Sequence, residues 1–310
     1  MISTDRKIFD SASEVKARMK NYATALDELF IIILGEKHGL IIEGRLKYLG
    51  LTHWQAWWYR PKTDFDLVTS QDPFENGLIA RRLAKKLKAK LELQIHTDFL
   101  SPYFVKHSIL NRLRVLIASQ TLPQADYIRV VSQRIKQSLK AKSWKLKAII
   151  EVRPVEVDLE KIKQTPITVD LHQKYPQFKK IILMASRLEP EKQIDLAIKN
   201  LIKLLISDNI GLIIVGAGSE EGRLKSLTEE LGLSNYVKFD GWQENLATYY
   251  KTADLFLSTS LYEGYGLTLV EAKSCGLPIV STDVGVAREA GATITTIDTL
   301  TPIIKHLLAD

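Results

Sequence analysis

Glu263 and Glu271, with seven residues between them, close off a glycine-containing stretch that runs Ser258-Thr259-Ser260-Leu261-Tyr262-Glu263-Gly264-Tyr265-Gly266-Leu267-Thr268-Leu269-Val270-Glu271. A glycine loop that opens a helix presents backbone N–H groups and the positive end of the helix dipole, which suits a phosphate. Helical side chains lean toward the N-terminus, so Glu271 can point into the same pocket as Glu263. A second role competes for it, because Thr268-x-x-Glu271 also has the form of a capping box, in which Glu271 serves only backbone donors.

The stretch Ser186-Arg187-Leu188-Glu189-Pro190-Glu191-Lys192 places two cations, Arg187 and Lys192, after an apolar run. Cations on a strand-to-helix loop can neutralise a departing diphosphate, although such a pair can equally be surface charge. Gly216 and Gly218, in Gly216-Ala217-Gly218, let backbone approach a ligand closely. With Gly222 and Asp240 they form a loose dinucleotide fingerprint whose spacing departs from G-x-G-x-x-G, and tight turns need no ligand. His96-Thr97-Asp98 is expected at the carboxyl end of a strand, where His96 and Asp98 can face a ligand or serve structure. Asp64-Phe65-Asp66 follows a Pro61-Lys62-Thr63 turn and reads as part of it, and no His/Cys/Glu cluster has metal-ligand spacing. The aromatic run His53 to Tyr59 reads mostly as core, with carbohydrate stacking or a membrane interface as alternatives. Cys275 is a lone cysteine without a histidine nearby in sequence and reads as an inert thiol.

These residues need elements to hold them. Apolar runs at 181–184, 211–215, 237–239, 254–257 and 278–280 read as buried strands, separated by helix-spaced segments such as 194–202. Strand and helix alternating in this way imply a parallel sheet covered on both faces. The N-terminal half alternates less cleanly, with strands expected at 30–34, 67–70, 91–95 and 127–131. Pro154, Pro166 and Pro176 mark a linker, so two doubly wound α/β domains are expected, at residues 1–157 and 158–310, with ligands at the carboxyl ends of the strands.

Composition agrees. The chain has 310 residues, 45% of them hydrophobic and 25% charged, enough for two cores. No apolar run is long enough for a bilayer and no signal-peptide core is visible, so a cytoplasmic protein is expected. Residues 1–150 carry a net charge of +12 and the remainder −5. The basic half, densest at 81–90 and 136–147, would attract a lipid headgroup surface or a phosphorylated acceptor, or simply be a solvated helix face. Cations without interleaved aromatics argue against nucleic acid.

The chain resembles the family 4 (group 1) retaining nucleotide-sugar glycosyltransferases of GT-B architecture. The resemblance rests on the E-x7-E segment Glu263 to Glu271, the R-x4-K pair Arg187 and Lys192, and the G-x-G turn at 216–218. Phe239-x-Gly241-Trp242, Gln71-Asp72-Pro73-Phe74 and His96 add to it. It implies two Rossmann-like domains facing across a cleft and a nucleotide-diphosphate sugar as donor substrate, with no metal or other cofactor. Glu263 would touch the donor sugar, Glu271 the ribose, amides from Gly266 through Leu267 to Thr268 the distal phosphate, and Arg187 with Lys192 the diphosphate. His96 would reach the sugar, and Asp240, Gly241, Asp72 and Asp98 would line the substrate site. The acceptor would be a saccharide or lipid-linked, with peripheral contact at an anionic membrane surface. The segment between Leu34 and Asp66, and the end of the chain, look short for the family. A non-catalytic nucleotide-sugar-binding relative and a nucleotide-sugar epimerase are the competing expectations.

Overall fold

A computed structural model describes residues 1–309, which divide into two compact units between Arg153 and Pro154. The expected boundary lies four residues further along, and the expected second domain ends on Asp310, outside the described residues.

The first unit is an eight-stranded sheet made of β1 (Ile2–Ser3), β2 (Leu29–Leu34), β3 (His38–Glu43), β4 (Leu46–Leu51), β5 (Leu67–Ser70), β6 (Lys90–Ile95), β7 (Tyr127–Val130) and β8 (Ile149–Val152). Their order is β3-β4-β2-β1-β5-β6-β7-β8. Every pairing is parallel except that of β3 with β4. This antiparallel edge corrects the expectation of a wholly parallel sheet. Gly44, at φ +63°, makes the turn between the two strands, a conformation that favours a residue without Cβ. Periodicity points to β4, where Leu46, Tyr48 and Gly50 alternate inward, but β3 leaves Leu40 and Ile42 exposed. The short segment between Leu34 and Asp66 thus holds a hairpin and the helix His53–Trp58.

The second unit is a six-stranded, wholly parallel sheet of β9 (Lys180–Ala185), β10 (Ile210–Val215), β11 (Val237–Gly241), β12 (Leu255–Ser258), β13 (Ile279–Ser281) and β14 (Thr293–Ile294), in the order β11-β10-β9-β12-β13-β14. Ile181, Ile182, Leu183, Leu212 and Ile213 are fully buried, because helices cover both faces. The helices Ile194–Ser207 and Leu300–Leu308 pack on one side. Ala247–Thr252 and Leu267–Ser274 pack on the other. Each such side chain contributes roughly 1.5–3 kcal/mol of transfer free energy, so the unit is anchored at β9 and β10. Strand order reverses between β9 and β12, the position at which open α/β sheets bind ligands beyond the carboxyl ends of their strands. Both sheets contain the strand order of a dinucleotide-binding Rossmann sheet.

Candidate functional site

The loop after β9 and the loop after β12 meet at the reversal. Lys192 ends a short 3-10 turn, Pro190–Lys192, that follows β9. Glu263 lies in the loop between β12 and the helix Leu267–Ser274. Lys192 Nζ lies 2.5 Å from Glu263 Oε1, and the Ser260 hydroxyl donates to the same oxygen at 2.8 Å. Lys192 is 8% exposed, so this carboxylate offsets the cost of burying its ammonium group. Two backbone ties fix the pair: Thr259 Oγ1 donates to the Lys192 carbonyl at 2.9 Å, and Leu261 N–H to the Glu191 carbonyl at 2.8 Å. Arg187 is on the same loop but reaches outward, bonding Glu191 at 3.1 Å with most of its side chain exposed.

The glycines at 216 and 218 have a packing reason. A Cβ on Gly216 would overlap the Ser186 carbonyl, and one on Gly218 would overlap that of Leu188. Gly216, at φ +137°, donates its N–H to the Gly241 carbonyl at 2.7 Å, and Leu188 N–H bonds the Ala217 carbonyl at 2.9 Å. The loop after β10 therefore holds the Arg187 loop in place. Gly285 does the same for the Glu263 loop. Its Cβ would overlap the Tyr265 carbonyl, and Val286 N–H bonds that carbonyl at 2.8 Å.

Gly266 is the N-cap of the Glu271 helix, at φ +92°, with no side-chain cap. Leu267 and Thr268 are its first two residues, and Leu267 is exposed. This rules out the capping-box reading, because Thr268 is inside the helix rather than at its cap. Glu271 Oε2 instead accepts a hydrogen bond from the Tyr250 hydroxyl at 2.9 Å. Burial, followed by the charge of Glu271, raises the pKa of Tyr250 well above the ordinary phenol value. Tyr250 thus remains a donor that fixes one carboxylate oxygen. It lies on the buried part of the helix Ala247–Thr252, and no spacing in the sequence sets it apart from its neighbour Tyr249. Burial also raises the Cys275 thiol, in keeping with an unreactive cysteine.

Other expected site residues are engaged locally. Asp240 accepts from Lys174 Nζ at 2.6 Å and from the Tyr249 hydroxyl at 2.9 Å, and also from Tyr175. Its carboxylate ties two helices to the end of β11. In the first unit, Asp72 bonds Phe74 N–H at 2.8 Å and the Asn76 amide. Asp72 thus caps the turn into the helix Glu75–Leu87, and burial raises its pKa. Asp98 is buried just beyond β6, with its pKa raised by that burial. His96 follows β6 directly, and its ring is exposed and lies 3.3 Å from Gln94 Oε1. Desolvation by surrounding protein, then the cations Arg129 and Arg18, lower its pKa, which favours the neutral imidazole. Asp64 pairs with Arg60 in an exposed turn, and Trp54 and Trp58 are exposed. That exposure corrects the core reading for these two tryptophans. Among the described residues no group of three or more His, Cys, Asp or Glu is placed to hold a metal ion.

Residues 171–292 match the model of the family described as glycosyl transferases group 1. This segment is a group 1 glycosyltransferase domain. It contains the Arg187 and Lys192 loop, the 216–218 turn and the Glu263 to Glu271 segment. The chain is 38% identical over 104 residues to the GtfA subunit of a UDP-N-acetylglucosamine–peptide N-acetylglucosaminyltransferase from Streptococcus gordonii, covering 33% of this chain and 20% of that protein. The alpha-monoglucosyldiacylglycerol synthase of Streptococcus pneumoniae is 26% identical over 228 residues, 70% of this chain and 51% of that one. The chain thus spans between a fifth and about half of the length of these relatives. Anabaena HepE, in a crystal structure with UDP and glucose, superposes with a TM-score of 0.71 at 20% identity, covering 100% of this chain and 89% of that one. The chain therefore has the GT-B fold, built from two Rossmann-like domains.

Proposed function

We propose that the chain is a retaining glycosyltransferase that moves a sugar from a nucleotide-diphosphate donor to a saccharide or lipid-linked acceptor, without a metal ion. The observation that carries this reading is the Lys192–Glu263 pair, formed by two loops at the reversal of strand order. Lys192 and Arg187 supply positive charge where a diphosphate leaves, and the N-terminus of the Glu271 helix supplies backbone donors for the distal phosphate. Glu263, held by Lys192 and Ser260, is oriented toward the donor sugar. Glu271, held by Tyr250, accepts from the ribose hydroxyls. The leaving diphosphate takes the bonding electrons, and the acceptor oxygen attacks the oxocarbenium-like carbon on the face just vacated while its proton passes to the departing phosphate oxygen, so the anomeric configuration is kept. His96, in the first unit, is assigned to the sugar in its neutral form. The protein contributes mainly positioning and charge stabilisation.

The UDP bound by HepE and the UDP-sugar in the name of the streptococcal relative make uridine diphosphate sugars the first donors to try. The proposed place of work is the cytoplasm, with peripheral contact at the inner face of a membrane. No helix among the described residues is long and apolar enough to cross one. The test is nucleotide release from a panel of UDP-sugars with saccharide and lipid-linked acceptors, with NMR of the product for anomeric configuration. An inverted product overturns retention. Sugar interconversion without acceptor favours an epimerase, and binding without turnover favours a non-catalytic relative.

A further inference from the structure

Between Asp98 and Glu151 the sequence holds ten Lys and Arg residues and one acid, Asp126. The same stretch carries a run of exposed apolar side chains. Tyr103, Ile109, Leu110, Leu113 and Leu116 are 48–83% exposed, all on the helices Pro102–His107 and Ile109–Thr121. Positions 109, 113 and 116 recur at helical spacing, so they form one stripe on the outer face of a helix whose inner face packs against Glu75–Leu87. An apolar stripe of this size, open to water, marks a place where something docks.

Topology sets what borders the stripe. The chain steps in one direction from β5 to β6, β7 and β8, and right-handed crossovers therefore put the helices of all three connections on the same face of the sheet. The stripe lies in the middle helix of that layer. On one side is the helix Glu75–Leu87, which ends in Lys85 and Lys86. On the other are Gln133–Lys140 and the loop after it, where Lys136, Lys140, Lys142 and Lys145 line an open cavity of about 520 Å³ with Trp144. None of these four lysines has a carboxylate at ion-pair distance among the described residues. Trp144 stacks on Phe99, and the buried Phe99 packs through Phe74 on Phe104 of the stripe's own helical pair, so one aromatic cluster inside the layer ties the lysine loop to the stripe's helices on the same face of the sheet.

We infer that this helical layer of the first unit docks on an anionic lipid bilayer, with the stripe entering the headgroup boundary and the lysine cavity taking lipid phosphates. Apolar area and cationic charge on one face are the two elements of interfacial binding, and cations without internal partners gain most from an anionic surface. A soluble acidic partner would leave the apolar stripe unexplained. The inference deepens the peripheral-contact part of the proposed function and rests on that reading only for its biological sense.

Vesicle co-sedimentation of the whole protein tests it, comparing phosphatidylcholine vesicles with mixed phosphatidylcholine and phosphatidylglycerol vesicles. Two double variants are compared with the wild type, Leu113→Ser with Leu116→Ser and Lys140→Glu with Lys145→Glu. Binding to the anionic vesicles should exceed binding to neutral ones by at least about tenfold, fall with salt, and drop about tenfold or more in each variant. Equal binding to both vesicle types overturns the inference. So does full binding by the leucine variant, which would mean charge adsorption alone, and so does equal competition by a soluble polyanion such as heparin with both variants affected alike. Circular dichroism confirms that each variant is folded. UDP binding, measured separately, should be unchanged in both, so failure of the donor reading and failure of membrane docking remain distinguishable.

Discussion

At the scale of single residues, the donor site depends on which charges are held and by what. Lys192→Met removes the cation from a carboxylate it meets at 2.5 Å. Turnover should fall by about 10² to 10³, and stability by about 2 kcal/mol, because Glu263 is left half-buried without its partner. Steady-state kinetics and chemical denaturation report the two effects separately. Tyr250→Phe deletes only the hydroxyl that holds Glu271 at 2.9 Å. Loss of one hydrogen bond to a charged group corresponds to about 1.5–3 kcal/mol. Donor KM should therefore rise by roughly tenfold or more, with kcat changed less. An unchanged KM would show that Glu271 needs no such support. Lys192, Glu263 and Glu271 are legible in the sequence because motif spacing marks them. Tyr250 is not, since it acts by pointing at a residue 21 positions along the chain, and Ser260, three residues before Glu263, stands in the motif stretch without a spacing that gives its hydroxyl a role. Asp240 follows a strand, as a ligand contact would, and its carboxylate is engaged by Lys174, Tyr175 and Tyr249, partners that no spacing in the sequence marks.

At the scale of elements, three loops are stitched together by close backbone approach. Gly216→Ala should destabilise the second unit by about 2–4 kcal/mol, because its Cβ meets the Ser186 carbonyl and its φ is positive. Thermal unfolding checks this, and a loss below about 0.5 kcal/mol would show that the loop yields. Gly222→Ala meets no atom within 4 Å and serves as the control. In the first unit, Lys16 and Lys20 bond Glu43 at 2.6 and 2.8 Å and hold its pKa down to about 2, from 4.5. A depressed carboxylate pKa stabilises the folded state above the unfolded value, and this contribution is lost as pH falls from about 4.5 toward 2. Glu43→Gln should flatten the acid limb of stability in that window, and an unchanged limb would remove Glu43 from the account. Buried parallel strands such as β9 and β10 are legible because every residue after the leading Lys180 of β9 is apolar. The edge strand β3 is not, since half its side chains face water and only pairing with β4 defines it. The aromatic run at 53–59 misleads for a related reason: the exposed Trp54 and Trp58 have the composition of core.

At the scale of the whole molecule, two Rossmann-like units follow from one repeated pattern of strand, helix and loop. The doubly wound class is visible in that alternation, and the sign of charge already separates a basic first half from an acidic second half. Strand order is not visible, because it depends on crossovers that periodicity does not encode. The central claim is that the crevice beside Lys192 and Glu263 takes a nucleotide-diphosphate sugar, and calorimetric titration tests it most directly. UDP and a panel of UDP-sugars are titrated into the wild type and into Lys192→Met. Saturable binding with one site, weakened at least about tenfold by the substitution, is the result expected. Absence of binding by every nucleoside diphosphate tried, or affinity indifferent to Lys192, would contradict the account.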